Sequence, residues 1–345
     1  MSATEATGTP PEGGVPDNPR PRVSVALATH NGERFIGDQI TSILQQSRPV
    51  DEIVLSDDAS SDRTIEIVEQ ALSDHRAARG VAPELVVLRN DPPLRVTANF
   101  QQALERSTGD LVALSDQDDV WHTDRIEQLS AAFADPAILL VFSNARQIDA
   151  TGADLGHDLF TALGLSPAER SRVESGRAFD QLLRRNVATG ATVMLRRSLV
   201  DLAAPFPDAW LHDEWLAIVA AALDGVALCE AELTDYRQHD DNQVGMQRMT
   251  LRRKLRMFAQ PRTDRNRRLY LRAQSLATRI GSIPAVSGAY RAAAGEKFLF
   301  EEARQRYPES RVLRAVPILQ QVVRGRYERY GTGLKDAVRN LIQPV

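Results

Sequence analysis

Cysteine is nearly absent from this chain of 345 residues: there is one, Cys229. A single thiol excludes an intrachain disulfide framework and a cysteine-built zinc site, and it fits a reducing compartment. No apolar run approaches the ~18 residues of a membrane-spanning helix. The N-terminus also lacks the basic-then-apolar design of an export signal, so the expected location is cytoplasmic. No G-x-G-x-x-G follows the first apolar run and no Walker A lysine is present, which speaks against a dinucleotide dehydrogenase or a P-loop NTPase. Excess positive charge is missing too. The formal net charge is −4 and the pI about 5.9, so a general nucleic-acid binder is not expected. No repeat of 20–50 residues is visible.

What is present centres on Leu111-Val112-Ala113-Leu114-Ser115-Asp116-Gln117-Asp118-Asp119-Val120-Trp121. The apolar run reads as a strand buried on both faces. Three carboxylates just past its end would be costly to desolvate and would repel one another. A divalent cation, Mg²⁺ or Mn²⁺, shared with a phosphate-bearing substrate resolves both problems; the alternative is a plain acidic loop in solvent, which the preceding buried strand disfavours.

The rest of the chain supplies the frame. Residues 1–20, rich in Pro, Gly and Thr, read as a disordered leader. Strands are expected at Val23–Thr29, Glu52–Leu55, Leu85–Leu88, Leu111–Leu114 and Ile138–Phe142, with helices between them. Such alternation indicates a parallel α/β sheet with helices on both faces, whose ligands bind beyond the carboxyl ends of the strands. Three of those ends are polar: Thr29-His30-Asn31-Gly32-Glu33, Asp57-Asp58 and Asp116–Asp119. Gly32 suits a turn with positive φ. Asp62 or Ser61 would cap the helix that begins near Thr64.

These motifs, in this order, resemble the family 2 glycosyltransferases, inverting enzymes of the GT-A fold. The T-x-N-G ending of the first strand, the D-D-x-S-x-D-x-T stretch at 57–64 and the S-D-Q-D-D-x-W form of D-x-D at 115–121 carry the resemblance. With Asn99-Phe100 upstream, it is most like bacterial rhamnosyltransferases of cell-surface polysaccharides. It implies a Rossmann-like mixed sheet flanked by helices over residues 21–246, nucleotide-sugar half to about 145 and acceptor half after it. A basic helical extension would follow over 247–345. The implied donor is dTDP-rhamnose, with a UDP-hexose or UDP-N-acetylhexosamine as the alternative.

The resemblance also assigns roles. Asp57 or Asp58 would accept the imide N–H of uracil or thymine, with Thr29, Asn31, Glu33, Asn99, Asp116 and Gln117 completing the donor site. Asp118 would be the main metal ligand, with His239 and Asp116 as further candidates. In the second half, residues 154–176 read as a loop region near the acceptor. Asn186–Thr192 resembles a segment lining the acceptor pocket, although Gly190 is equally explained by a turn that needs positive φ. Trp210–Trp215 resembles an H-D-x-W motif in which Asp213 is the general base and Glu214 the fallback. Acids in a helix's first turn also serve simply to offset its dipole. Thr189, Gly190, His212, Trp215 and Arg237 would face the acceptor or diphosphate. Arg237 and His239 alternate along an extended stretch, so they should face one side together.

From Arg248 to Arg279, eleven Lys and Arg stand against one acid, Asp264. Interleaved leucines make this either a basic helix lying on a membrane surface or a tail packing on the core. The implied partners are therefore a dTDP- or UDP-sugar, a polyprenyl-diphosphate-linked or cell-envelope glycan, the inner face of the plasma membrane, and a second copy of the chain. Two readings from other classes are a Mg-dependent phosphohydrolase and a catalytically silent glycan- or lipid-binding protein.

Overall fold

The structure, a computed structural model, describes residues 20–239 and 261–344. The leader expected over 1–20 lies outside the described residues except for Arg20. So do 240–260, which hold the first part of the basic stretch.

The chain runs β1 (Val23–Thr29), α1 (Ile36–Leu44), β2 (Glu52–Asp57), α2 (Thr64–Arg79), β3 (Glu84–Arg89), α3 (Val96–Arg106) and β4 (Leu111–Ser115). Then come β5 (Val120–Trp121), α4 (Arg125–Ala131), β6 (Leu140–Asp149), β7 (Asp154–Asp158), α5 (Leu159–Ala162), α6 (Pro167–Glu174) and α7 (Ala178–Arg184). After these follow β8 (Val193–Arg196), α8 (Arg197–Ala203), α9 (His212–Ala221) and β9 (Val226–Gln238). The helices after the gap are α10 (Arg262–Ser282), α11 (Gly288–Gln305), α12 (Arg311–Val323), α13 (Arg326–Tyr330) and α14 (Leu334–Ile342).

Among the described residues nine strands form one sheet in the order β3-β2-β1-β4-β8-β6-β9-β5, with β7 paired to β6. The first four are parallel, as expected. The sheet then becomes mixed, because β8 enters antiparallel to both β4 and β6. Strand alternation splits the core. Val25, Leu27, Ile53 and Leu55 face α1 and α2, while Ala26, Val54, Val112 and Leu114 face the other side, as a two-residue period requires.

The stretch 154–176 is not a loop. It holds β7, α5 and α6, and α6 starts with a capping box in which the Ser166 side chain accepts from Glu169 N while Glu169 reaches back to Ser166 N. That pattern satisfies two of the backbone donors a helix start leaves open. The C-terminal helices share the main core, for Leu276, Ile280, Ile283, Ala294 and Phe300 lie in one cluster with Leu216, Val219 and Ala220 of α9.

Candidate active site

The strand order places a switch point between β1 and β4, where crossovers diverge and a crevice opens at the carboxyl ends. A cavity of about 630 Å³ lies there, within the usual range for small-ligand sites. Its wall includes Thr29, Asn31, Asp58, Asn99, Asp116, Gln117 and Asp118. Thr189, Gly190, His212, Asp213, Glu214 and His239 line it as well. Glu33, Asp57, Trp215 and Arg237 are not on that wall.

Each of the four has another engagement. Glu33 pairs with Arg63 on the surface. Asp57 is buried and accepts from Thr29 Oγ1 (2.7 Å), Ser60 N (2.9 Å) and Ser60 Oγ (2.6 Å), which ties the β1 and β2 ends together. Trp215 is fully buried and donates to Ala203 O at 2.8 Å. Arg237 lies beneath the acid loop, donating to Asp118 O (2.7 Å) and Asp38 Oδ2 (3.2 Å).

The loops at the rim are mutually braced. Asp58 accepts from Leu94 N (2.5 Å) and Arg95 N (2.8 Å) while remaining on the cavity wall. Asn99 donates to Ser56 O at 3.0 Å. Asp62 accepts from Glu33 N (3.0 Å) and Thr64 N (3.1 Å), so it joins the β1 loop to the first turn of α2. The Gln117 side chain pairs with the His30 backbone in both directions, at 2.8 and 3.1 Å. This explains Gly32 better than a turn does. Gly32 does not take positive φ (Asn31 does, at 48°), but a Cβ there would sit 2.5 Å from Gln117 Oε1.

Across the cavity, α9 begins at His212 and projects Asp213 inward. The two Asp213 carboxylate oxygens accept from Gly190 N (2.9 Å) and Glu214 N (2.7 Å), which fixes their orientation. Burial raises the Asp213 carboxyl above its ordinary value. Gly190 again lacks positive φ; close approach is what requires it, since a Cβ would lie 3.1 Å from His212 Nε2. His212 stacks on Phe100 with ring centroids 3.8 Å apart. Burial drives its imidazole down to about 3, so it is neutral, and neither ring nitrogen has a partner among the described residues. Glu214 pairs with Arg272 of α10 at 2.6 Å.

The acid loop is strongly perturbed. Burial, then Asp118 and Asp213, raise Asp116 to about 7. Asp119 is pushed up by the same desolvation and by its acidic neighbours; one of its oxygens accepts from Arg237 N at 3.0 Å and the other is buried with no partner among the described residues. Below them sits Arg125, fully buried, donating to Ala191 O and Thr234 Oγ1 and stacked 4.2 Å over Trp121. Nothing in the sequence marked this arginine, which reads as an ordinary polar residue at the start of a helix. Phe35, Phe100 and Tyr236 also reach the site and look like core residues in sequence.

His239 Nε2 lies 2.7 Å from Asp118 Oδ2, and Arg237 and His239 both rest on Phe35, each at 4.8 Å. The expectation that they face one side is met. Among the described residues no three His, Cys, Asp or Glu side chains form a metal cage. The Asp118–His239 pair with an orphaned acid oxygen close by instead fits an ion that takes few protein ligands and completes its shell with substrate phosphate and water.

The chain is 33% identical over 111 residues to the putative glycosyltransferase EpsE of Bacillus subtilis (strain 168), covering 32% of this chain and 38% of that one. The Bacillus subtilis putative teichuronic acid biosynthesis glycosyltransferase TuaG is 36% identical over 32% of this chain, and the match spans 41% of its length. The chain thus spans about two fifths of these relatives. The dTDP-rhamnosyl transferase RfbG of Shigella flexneri is 25% identical over 64% of this chain and 73% of its own. In fold, the chain resembles S. aureus TarS 1-349 in complex with UDP-GlcNAc (TM-score 0.54, 16% identity, 87% of this chain and 80% of that one). The mixed sheet with its flanking helices is therefore the GT-A architecture. The family model described as glycosyl transferase family 2 matches residues 24–202, more than half the chain, and the chain belongs to that family.

Proposed function

We propose that this glycosyltransferase carries out an inverting, metal-dependent single displacement from a nucleoside diphosphate sugar to a hydroxyl of a lipid-linked or cell-envelope glycan. The observation that carries the reading is one cavity with Asp213, oriented and desolvated, on one side and the Asp116–Asp118 loop on the other. Asp213 takes the acceptor hydroxyl proton as the hydroxyl oxygen bonds to the anomeric carbon. The bond from that carbon to the diphosphate breaks on the opposite face, and the electron pair leaves with the nucleoside diphosphate. One such base suffices, whereas a glycosidase needs two carboxylates and water. Asp118 and His239 would hold the divalent ion, which supplies Lewis-acid stabilisation of charge on the leaving diphosphate. Asp58 retains lone pairs for the imide N–H of a uracil or thymine beyond its two backbone bonds. Neutral His212, with both nitrogens unpaired on the wall, is suited to a sugar hydroxyl.

For the donor we favour dTDP-rhamnose, supported by the likeness to RfbG. A UDP-sugar donor is the alternative, supported by the likeness to a UDP-Glc:alpha-D-GlcNAc-diphosphoundecaprenol beta-1,3-glucosyltransferase of Escherichia coli, which is 25% identical over 57% of this chain. The acceptor in the name of that relative supports an undecaprenol-type lipid-linked acceptor here, and with it work at a membrane surface. Calorimetric titration with dTDP, UDP and GDP, with and without Mn²⁺ or Mg²⁺, tests the reading. Binding of dTDP or UDP is expected only with metal and is lost in Asp118→Ala, while GDP does not bind. Absence of nucleotide binding under every metal condition would overturn it.

A further inference from the structure

Four of the six arginines of α10 are engaged within the fold, which leaves Arg267 and Arg268 as its exposed ones. Arg262 donates to Tyr307 O and Pro308 O, Arg265 pairs with Asp336, Arg272 with Glu214, and Arg279 donates to Ala204 O. The unpartnered surface lies further along the chain. α12 buries Arg314, Ile318 and Gln321 and turns Val312, Val316, Leu319 and Val323 the other way, 60–80% exposed. These positions recur at i, i+4, i+7 and i+11, a full apolar stripe on the side where a helix in water carries polar residues. α14, packed against α12, does the same with Leu334, Val338 and Ile342 at i, i+4 and i+8. Apolar patches of this kind mark contact surfaces.

Charge indicates what makes the contact. Residues 248–345 hold 22 Lys and Arg against 7 Asp and Glu, leaving 20 against 39 for the first 247. Arg311, Arg324, Lys335 and Arg339 directly neighbour the apolar positions, while Glu309 and Glu328 are the exposed acids of 309–344. A second copy docked through this face would set like charges against each other. An anionic bilayer surface satisfies both features, since apolar side chains enter the acyl boundary and bases meet headgroups. No described helix is long and apolar enough to cross a membrane, so contact there would be at the surface. We propose that α12 and α14 form the face by which this chain docks on an anionic lipid bilayer. The inference deepens the reading of a membrane-linked acceptor and rests on that reading for its purpose.

Sedimentation of the full chain with phosphatidylglycerol-rich and with pure phosphatidylcholine vesicles tests it. The wild type should bind the anionic vesicles and bind the neutral ones weakly. Val316→Asp/Leu319→Asp/Val323→Asp, at exposed positions, should lower anionic binding at least about tenfold while keeping the melting midpoint and metal-dependent nucleotide binding. A wild type that ignores anionic vesicles, or a triple variant that binds like wild type, overturns the docking face. So does a wild-type dimer that the triple variant dissociates, for a second copy would then cover it. Nucleotide binding on the same samples keeps the two readings apart: a wild type that binds nucleotide with metal yet ignores anionic vesicles condemns the face alone, whereas a wild type that binds vesicles but no nucleotide condemns the catalytic reading alone.

Discussion

At the scale of single residues, the site depends on carboxylates placed where water is scarce. Asp213 accepts from two backbone N–H groups, so Asp213→Asn keeps the side chain's size but gives up one of those bonds together with proton acceptance. Turnover is expected to fall ~10²–10⁴-fold, with calorimetric nucleotide affinity within about twofold of wild type. Burial raises this carboxyl, and a base must be unprotonated to act. The rate therefore falls with acidification, and the acidic limb of kcat/KM lies above the ordinary 3.8. A limb that stays in place in Asp213→Asn would assign the base elsewhere. The acids were legible in sequence because three carboxylates cannot follow an apolar strand without a reason. Arg125 was not, since its burial under the loop comes from β5 and β9 closing over it, a tertiary event. The turn reading fails for both Gly32 and Gly190: side chains crowd them, and their backbones are ordinary.

At the scale of elements, α9 and α10 act as a pair. The Glu214–Arg272 bridge is mostly shielded, with side chains 18% and 23% exposed, and Arg272 stacks 3.9 Å over Trp210, whose Nε1 donates to Arg272 O and Ser275 Oγ. Arg272→Ala leaves the Glu214 carboxyl without its cation, at an expected cost of about 1–3 kcal/mol in urea denaturation. Arg272→Ala/Glu214→Gln should recover much of the loss, and a double variant no better than the single one would make the pairing incidental. The parallel strands β1, β2 and β4 could be read directly, each an apolar run stopping at a polar cluster. The antiparallel entry of β8 could not, because a strand of four residues with three apolar ones carries length but no direction. The helix α6 was readable yet missed: Ser166-Pro167-Ala168-Glu169 is a helix-start signal with proline at the first position.

For the molecule as a whole, the buried titrating groups give stability a predictable pH profile. Asp116, raised to about 7 by burial and its acidic neighbours, and His122, raised chiefly by its bond to Asp235, both have folded values above their unfolded ones. Their stabilising contributions are full at low pH and are lost as pH rises through the folded values. His212, lowered to about 3 by burial, and Glu169, lowered to about 2 chiefly by Arg185, behave oppositely, losing theirs as pH falls. With a chelator present, urea denaturation should therefore give about 1–3 kcal/mol more stability at pH 6 than at pH 8, with a decline below about pH 4. Mn²⁺ or Mg²⁺ should shrink the gap by neutralising the acid loop; a profile flat from 6 to 8 in chelator would contradict the burial of these acids. The shared core has a further consequence for recombination among relatives. Because Trp210 and Glu214 interlock with Arg272 and Ser275, a chimera with its crossover in residues 240–260 would mismatch the seam beside α9. Specificity is best exchanged with the 210–216 and 268–280 segments inherited as a single block.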